Sequence, residues 1–187
     1  ERIETLKGPQ GTLFGRNATG GLVHILNRKP TEEFEAYGDI EFAEYDSIRF
    51  EGAVSGPLGN STQGRLSFLK HSADGFIEND IGPDLREQDD MSIRAQLQTD
   101  FSDRLSGHIS FTYSTVDDIN GGTYTPTFFG GDTADYNGFV PNSDPHKASV
   151  SPGGSLDKES YGVTGTLTYE INDDLTLTSI TNHQDNK

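Results

Sequence analysis

The chain of 187 residues contains no cysteine, no tryptophan and a single methionine. Without cysteine it can form neither a disulfide nor a thiolate metal site. Long apolar runs are also missing: no stretch of eighteen apolar residues occurs, so no transmembrane helix is predicted. A transmembrane β-barrel remains possible, because its strands alternate and give only a weak hydropathy signal.

Positive charge is scarce and unevenly placed. There are 14 Lys and Arg residues against 30 Asp and Glu, for a formal net charge of −16. The first thirty residues hold five of the basic residues and only two of the acidic ones. An acidic body argues against nucleic acid as a partner, because phosphate binding needs a basic surface. The basic opening segment and the acidic remainder are expected to attract each other.

Glycine and proline divide the first thirty residues into short pieces. Residues 2–6 alternate polar and apolar, and Lys7-Gly8-Pro9 ends them with a turn signature. Residues 22–26 are mostly apolar and partly β-branched, and the polar residues and proline at 27–30 end this predicted strand. The pattern predicts a strand, a series of turns and a second strand.

This segment resembles the C-terminal end of the plug domain of TonB-dependent outer-membrane receptors, where a signature of the type GPxGxLFGRNAxGGxINIxTKKP leads into a β-barrel. The match keeps the glycine framework, although Lys7 stands where arginine is frequent and Leu22-Val23-His24 replaces the more usual Ala/Val-Ile-Asn. The resemblance implies that residues 1–31 are the end of a plug and residues 32–187 the N-terminal part of a barrel. It also implies structural roles for the motif residues Gly8, Pro9, Gly11, Gly15, Arg16, Asn17, Gly20 and Gly21.

Glycines in a turn-rich segment have two other interpretations. A phosphate-binding loop needs Lys-Ser/Thr after its last glycine, whereas Arg16 and Asn17 follow Gly15, and no GxGxxG opens a helix. The second alternative is that these glycines belong to ordinary turns of a soluble β protein.

From Phe34 onward apolar residues recur at every second position, as in strands with two different faces. No helical periodicity is present. The sequence predicts an all-β, antiparallel transmembrane barrel, partial here, with about seven strands of roughly nine to eleven residues. The predicted strands cover residues 34–42, 48–55, 64–72, 91–101, 105–114 and 161–171 and a seventh that begins at Leu175.

Loop lengths and aromatic positions support the barrel. Links near residues 56–64, 101–104 and 172–174 are short, whereas 73–89 and 117–159 are long, and only the first hairpin link breaks this alternation. Outer-membrane barrels have such short periplasmic turns and long external loops. Aromatic residues fall near predicted strand ends on the apolar face, where ring side chains favour the membrane interface. A soluble β-sandwich is the alternative fold.

The long loops are where ligand contacts are expected. Aromatic candidates in the longest loop are Tyr124, Phe128, Phe129, Tyr136 and Phe139, with self-packing of the loop as the equally weighted alternative. Acidic residues in the other loop are expected to be solvated, and calcium bridging is a weaker option. The five histidines are dispersed, no metal site or cofactor is predicted, and no catalytic set is recognisable, so an enzyme is not expected.

The family resemblance implies an outer-membrane receptor that binds and imports a scarce solute, first of all a ferric siderophore. Its implied partners are outer-membrane lipid, the solute and the inner-membrane TonB complex, which would act through a box absent from this sequence. Glu1 falls inside a motif, so the sequence is expected to be an internal piece of a longer protein. A passive porin or adhesin barrel and a secreted carbohydrate-binding β-domain are the alternative functions.

Ion pairs between the opening segment and the predicted barrel wall are a further expectation. Such pairs would hold a plug in place and still permit its release. The predicted participants are Arg2, Lys7, Arg16 and Arg28 on the first side and Glu35, Asp39, Glu41 and Glu51 on the second.

Overall fold

The computed structural model describes residues 2–14, 18–80, 82–118, 144, 146–148 and 155–187. Its first element is an antiparallel hairpin of β1 (Arg2–Lys7) and β2 (Gly21–Leu26), called the opening hairpin below. The predicted strand, turns and strand are therefore present. One turn is helical instead, α1 (Gly11–Phe14), because the Phe14 amide donates to the Gln10 carbonyl at 3.0 Å, four residues back.

A seven-stranded antiparallel sheet forms the body of the chain, and each strand pairs with its neighbours in chain order. This confirms the predicted all-β architecture. Its strands are β3 (Glu35–Ala43), β4 (Ser47–Pro57), β5 (Thr62–Ala73), β7 (Gln88–Ser102), β8 (Leu105–Asp118), β10 (Leu156–Asn172) and β11 (Leu175–Asn186).

Strand lengths correct the prediction of nine to eleven residues. Five of these strands are longer, and β10 has 17 residues. Pairing continues beyond the apolar stretch because polar residues at the strand ends still form the ladder, as Asp157 does opposite Asp117. The loss of apolar alternation in the sequence therefore does not mark the end of a strand.

A tight turn at residues 44–46 connects β3 to β4. Tyr45 and Asp46 have φ values of 62° and 48°, and the Ser47 amide donates to the Glu44 carbonyl at 3.4 Å. Two consecutive left-handed residues match the right-handed twist of a hairpin. The short links at residues 58–61, 103–104 and 173–174 lie at the opposite end of the strands.

Two further strands of two residues each lie outside the sheet and were not predicted. They are β6 (Glu78–Asn79) and β9 (Lys147–Ala148), which pair in parallel and join the two long connections of the chain. Next to them Ile77 and Leu85 exchange backbone hydrogen bonds, and both are buried. This small cluster anchors the loop that follows β5.

The large sheet has one apolar and one polar face. The apolar face carries Phe50, Leu66, Leu97, Phe111 and Val163, all at least about a third exposed. Few apolar side chains are buried anywhere in the described part of the chain. An exposed apolar sheet face of this extent marks a surface that is covered by something else in the working protein. Among the described residues no helix combines the length and apolarity needed to cross a membrane.

Candidate functional site

The segment that follows the opening hairpin lies against the polar face of the large sheet. Arg94 donates from Nη1 to the Asn27 side-chain oxygen at 2.7 Å, and Gln96 donates from Nε2 to the Arg28 carbonyl at 3.0 Å. Further along, the Thr31 amide donates to Ser55 Oγ at 3.0 Å. Residues 27–31 are thus held by β4 and β7, the two strands on either side of β5, and we call this region the docking site.

Strand register builds the wall of the docking site. Ser55, Arg65 and Gln96 lie opposite one another on β4, β5 and β7, so they form a row across the polar face. Their exposed fractions are only 2 %, 7 % and 5 %. Buried polar groups are stable only when hydrogen-bonded or paired, so this row indicates a surface built to be covered by a polar segment.

A cavity of about 180 Å³ remains between residues 27–28 and this wall. Three arginines line it, Arg28, Arg65 and Arg94, together with the single carboxylate of Glu51. Arg49 already pairs with Glu51, at 2.6 Å between Nη2 and Oε2. The cavity is therefore basic in net character.

Two motif glycines need their backbone conformation. Gly8 and Gly21 have φ values of +84° and +130°, a region that side chains disfavour. A Cβ at Gly21 would also collide with the Leu6 carbonyl oxygen of the paired strand. Pro9, Gly11 and Gly20 lie in the same connection, whereas Gly15, Arg16 and Asn17 are outside the described residues.

The predicted ion-pair residues have different surroundings. Arg28 reaches Glu35 at 3.7 Å between Nη1 and Oε2, and both side chains are about half exposed. Arg2 instead contacts Glu4 at 2.7 Å within the opening hairpin. Among the described residues no ion pair within 4.0 Å involves Lys7, Asp39 or Glu41. The role of all these residues in plug retention stays a prediction.

The predicted ligand-contact aromatics, Tyr124, Phe128, Phe129, Tyr136 and Phe139, lie outside the described residues. In the acidic connection after β5, Asp84 accepts from the Asn79 amide at 3.1 Å, and Asp89 pairs with Lys70. Within the described part of the chain no three acidic or histidine side chains are grouped to hold a metal ion. The calcium option therefore finds no supporting geometry there.

The contact between β6 and β9 is an electrostatic one. Lys147 Nζ lies 2.8 Å from Glu78 Oε2, and the Glu78 amide donates to the His146 carbonyl at 2.8 Å. The hydrogen bond to Glu78, with the charge of that carboxylate, raises the pKa of Lys147. The lysine is thus charged at neutral pH, and the two long connections are held together there.

The sequence alone did not identify four residues of the docking site: Asn27, Arg65, Arg94 and Gln96. Alternation does place Arg94 and Gln96 on the polar face of their strand, which is the one signal available. Their contact with residues 27–28 joins positions 67 and 68 apart in the chain, and no local pattern encodes it.

Comparison with known proteins gives a consistent result. The chain is 32% identical over 149 residues to the ferrioxamine B receptor of Salmonella typhimurium, covering 71% of this chain and 20% of that receptor. It is 32% identical over 100 residues to the ferripyoverdine receptor of Pseudomonas aeruginosa, covering 45% and 12%. The vitamin B12 transporter of Vibrio vulnificus is 28% identical over 83 residues, covering 44% and 14%. No protein-family model matches the chain.

Solved structures match the whole chain. The ferric-catecholate import receptor Fiu of E. coli K12 superposes with a TM-score of 0.83 at 17% identity, covering 98% of this chain and 28% of that one. The ferripyoverdine receptor of the outer membrane of P. aeruginosa gives 0.80 at 21% identity, covering 98% and 23%. These likenesses establish the fold.

The antiparallel sheet, with its apolar outer face and with residues 27–31 docked on its polar face, is part of the wall of an outer-membrane β-barrel. The chain belongs to the TonB-dependent outer-membrane receptor family, as the opening motif predicted. It spans 12% to 20% of the curated relatives named above. Those relatives are named as receptors and transporters, which confirms that an enzyme was not to be expected.

Proposed function

We propose that the complete protein imports a ferric siderophore across the outer membrane, with energy delivered through TonB. The observation that carries the proposal is the docking site, where residues 27–31, which follow the glycine-rich hairpin, lie on the polar face of a barrel wall. A segment held against the inner face of the wall would obstruct a passive pore. An energised receptor needs one that is held firmly at rest and can be displaced.

In this proposal residues 1–31 are the end of the plug and residues 32–187 the first barrel strands. Polar contacts dominate the docking site, because side-chain donors of the wall bind oxygens of residues 27–28. Such contacts can be exchanged for water when the plug moves, whereas a packed apolar interface would resist displacement. The long connections after β5 and β8 would face the outside and contact the solute.

The choice of a siderophore rests on relatives named for ferrioxamine B and ferripyoverdine. Cobalamin import is the second candidate, because a vitamin B12 transporter is also among the relatives. Whether the solute is a siderophore or cobalamin depends on loop residues outside the described part of the chain and on the rest of the plug.

Uptake assays in the host bacterium test the proposal. A strain lacking the gene would be compared with a complemented strain for accumulation of radiolabelled iron from ferrioxamine B and ferripyoverdine, and of radiolabelled cobalamin. We expect iron uptake from at least one siderophore to need both the gene and TonB. Cobalamin uptake alone would favour the second candidate, and uptake that persists without TonB would favour the passive pore.

A further inference from the structure

Arg65 carries a buried charge without an acidic partner. The side chain is 7 % exposed, and no carboxylate of the described residues lies within 4.0 Å of it. The guanidinium lies over the Tyr37 ring, with 6.0 Å from its carbon to the ring centroid. A cation–π contact at that distance is a weak substitute for an anion. The guanidinium nitrogens are not enclosed, so they face the cavity and can receive a negative group from there.

Arg94 is the second guanidinium of the same cavity, and its partners are neutral. It donates from Nη1 to Asn27 at 2.7 Å and from Nε to Thr112 Oγ1 at 3.5 Å. Both arginines sit on the polar face, since Arg65 pairs with Gln96 and Arg94 is two residues before it on the same strand. Diagonal neighbours of this kind are within reach of long side chains.

The negative group is not supplied by the described wall itself. Glu51 is the carboxylate that lines the cavity there, and Arg49 holds it at 2.6 Å. The remaining space, about 180 Å³, is below the roughly 300 to 1,000 Å³ of ordinary small-molecule sites. A single oxyanion group with water fits this space, and a whole siderophore does not.

We propose that Arg65 and Arg94 form an oxyanion-binding site between the barrel wall and residues 27–28. The ligand is one carboxylate or phosphate group, held by guanidinium donors that match its planar or tetrahedral oxygens. It comes either from an acidic side chain of the protein or from a soluble anion in the lumen. This site adds an electrostatic lock to the hydrogen bonds of the docking site and is independent of which solute is imported.

The experiment uses the full-length receptor in detergent and follows hydrogen exchange of the backbone amides of residues 21–29. We expect Arg65→Gln and Arg94→Gln each to raise the exchange rate about tenfold, because each removes half of a buried charge site. The double variant should add little to either single one, since both arginines hold the same anion. Arg104→Gln, which removes an exposed positive charge at the turn after β7, is the control and should leave the exchange unchanged.

Added inorganic phosphate distinguishes the two sources. If a protein carboxylate fills the site, wild-type exchange does not respond to phosphate. If a soluble anion fills it, phosphate slows wild-type exchange, and Arg65→Gln abolishes the response.

Arg65→Lys keeps the positive charge. An intermediate exchange rate in that variant would support the site even if the Arg65→Gln receptor fails to assemble. Arg94→Gln also loses the hydrogen bond to Asn27, so Arg65→Gln decides. The proposal is overturned if Arg65→Gln exchanges like Arg104→Gln and phosphate has no effect on the wild type. Uptake does not enter this measurement, so its result is separate from the proposed import function.

Discussion

Gly21 is the residue whose replacement has the clearest expected consequence. Its φ of +130° and the nearby Leu6 carbonyl leave no room for a side chain. Gly21→Ala should destabilise the opening hairpin by about 2 kcal/mol, within the range for a residue forced into a disfavoured conformation. Hydrogen exchange of the β1 and β2 amides in the full-length receptor measures the effect.

Gly20→Ala is the matched control for that change. No atom lies within 4 Å of a Cβ built at Gly20, and its φ is outside the left-handed region. Its exchange rates should equal those of the wild type. Equal rates for Gly20→Ala and Gly21→Ala would show that the close approach to Leu6 is absent from the complete protein.

The Arg28 and Glu35 side chains should contribute little to docking. They meet at 3.7 Å and are 57% and 50% exposed, so solvent screens the pair. A double-mutant cycle of Arg28→Gln and Glu35→Gln should give a coupling energy below about 1 kcal/mol. The Arg28 carbonyl that accepts from Gln96 survives both substitutions. A coupling of several kcal/mol, measured from exchange of the residue 27–29 amides, would contradict this assignment.

At the scale of elements, the short parallel pair β6 and β9 joins the two long connections. Lys147→Gln should loosen residues 146–148 modestly, because the exposed ion pair with Glu78 is lost while the Glu78 amide still donates to the His146 carbonyl. Nitroxide labels at Glu87 and His146 of the full-length receptor would report this as a broader distance distribution. Lys158→Gln, an exposed lysine on β10, should leave the distribution narrow.

The same contact has a predictable pH dependence. A lysine whose pKa is raised in the folded state stabilises that state fully below its unfolded value, and the stabilisation is lost as pH rises through the folded pKa. The Lys147 contribution should therefore be constant near neutral pH and disappear only above the ordinary lysine pKa of about 10.4. Broadening of the label distances between pH 6 and 8 would show that another group controls the contact.

Element by element, the sequence predicts the wall better than its connections. Alternation over residues 91–101 and 105–114 locates β7 and β8, because a strand with two different faces has a strict period of two. The pair β6 and β9 has only two residues in each strand, too few for any period. Helix α1 is a single turn whose glycine and phenylalanine carry no helical pattern.

At the scale of the whole molecule, the sheet has no buried core in the usual sense, because its apolar face is turned to lipid. Val163→Arg places a charge on that face near the middle of β10, at an expected cost of about 2 to 4 kcal/mol. Thr164→Arg, one residue along on the polar face, should cost much less. The yield of folded barrel in the outer membrane of cells producing each full-length variant measures the difference, and similar yields would place the wrong face toward lipid.

The sequence predicts the family of the whole molecule but not the contacts between distant parts of the chain. The motif of residues 2–31 identified the family, since its glycines are fixed by backbone conformation, as at Gly21. The docking contacts of Arg94 and Gln96 depend on how a barrel wall places distant residues together. The sequence shows that both side chains are polar, but it does not show which residues they contact.

Cysteine cross-linking tests whether residues 27–31 rest on the polar face of the barrel wall. Asn27→Cys and Arg94→Cys would be introduced together into the full-length receptor and treated in outer membranes with a short thiol-specific cross-linker. We expect efficient cross-linking of this pair and none between Asn27→Cys and Asn182→Cys on the distant strand β11. No cross-link between positions 27 and 94, in a receptor that assembles normally, would contradict it.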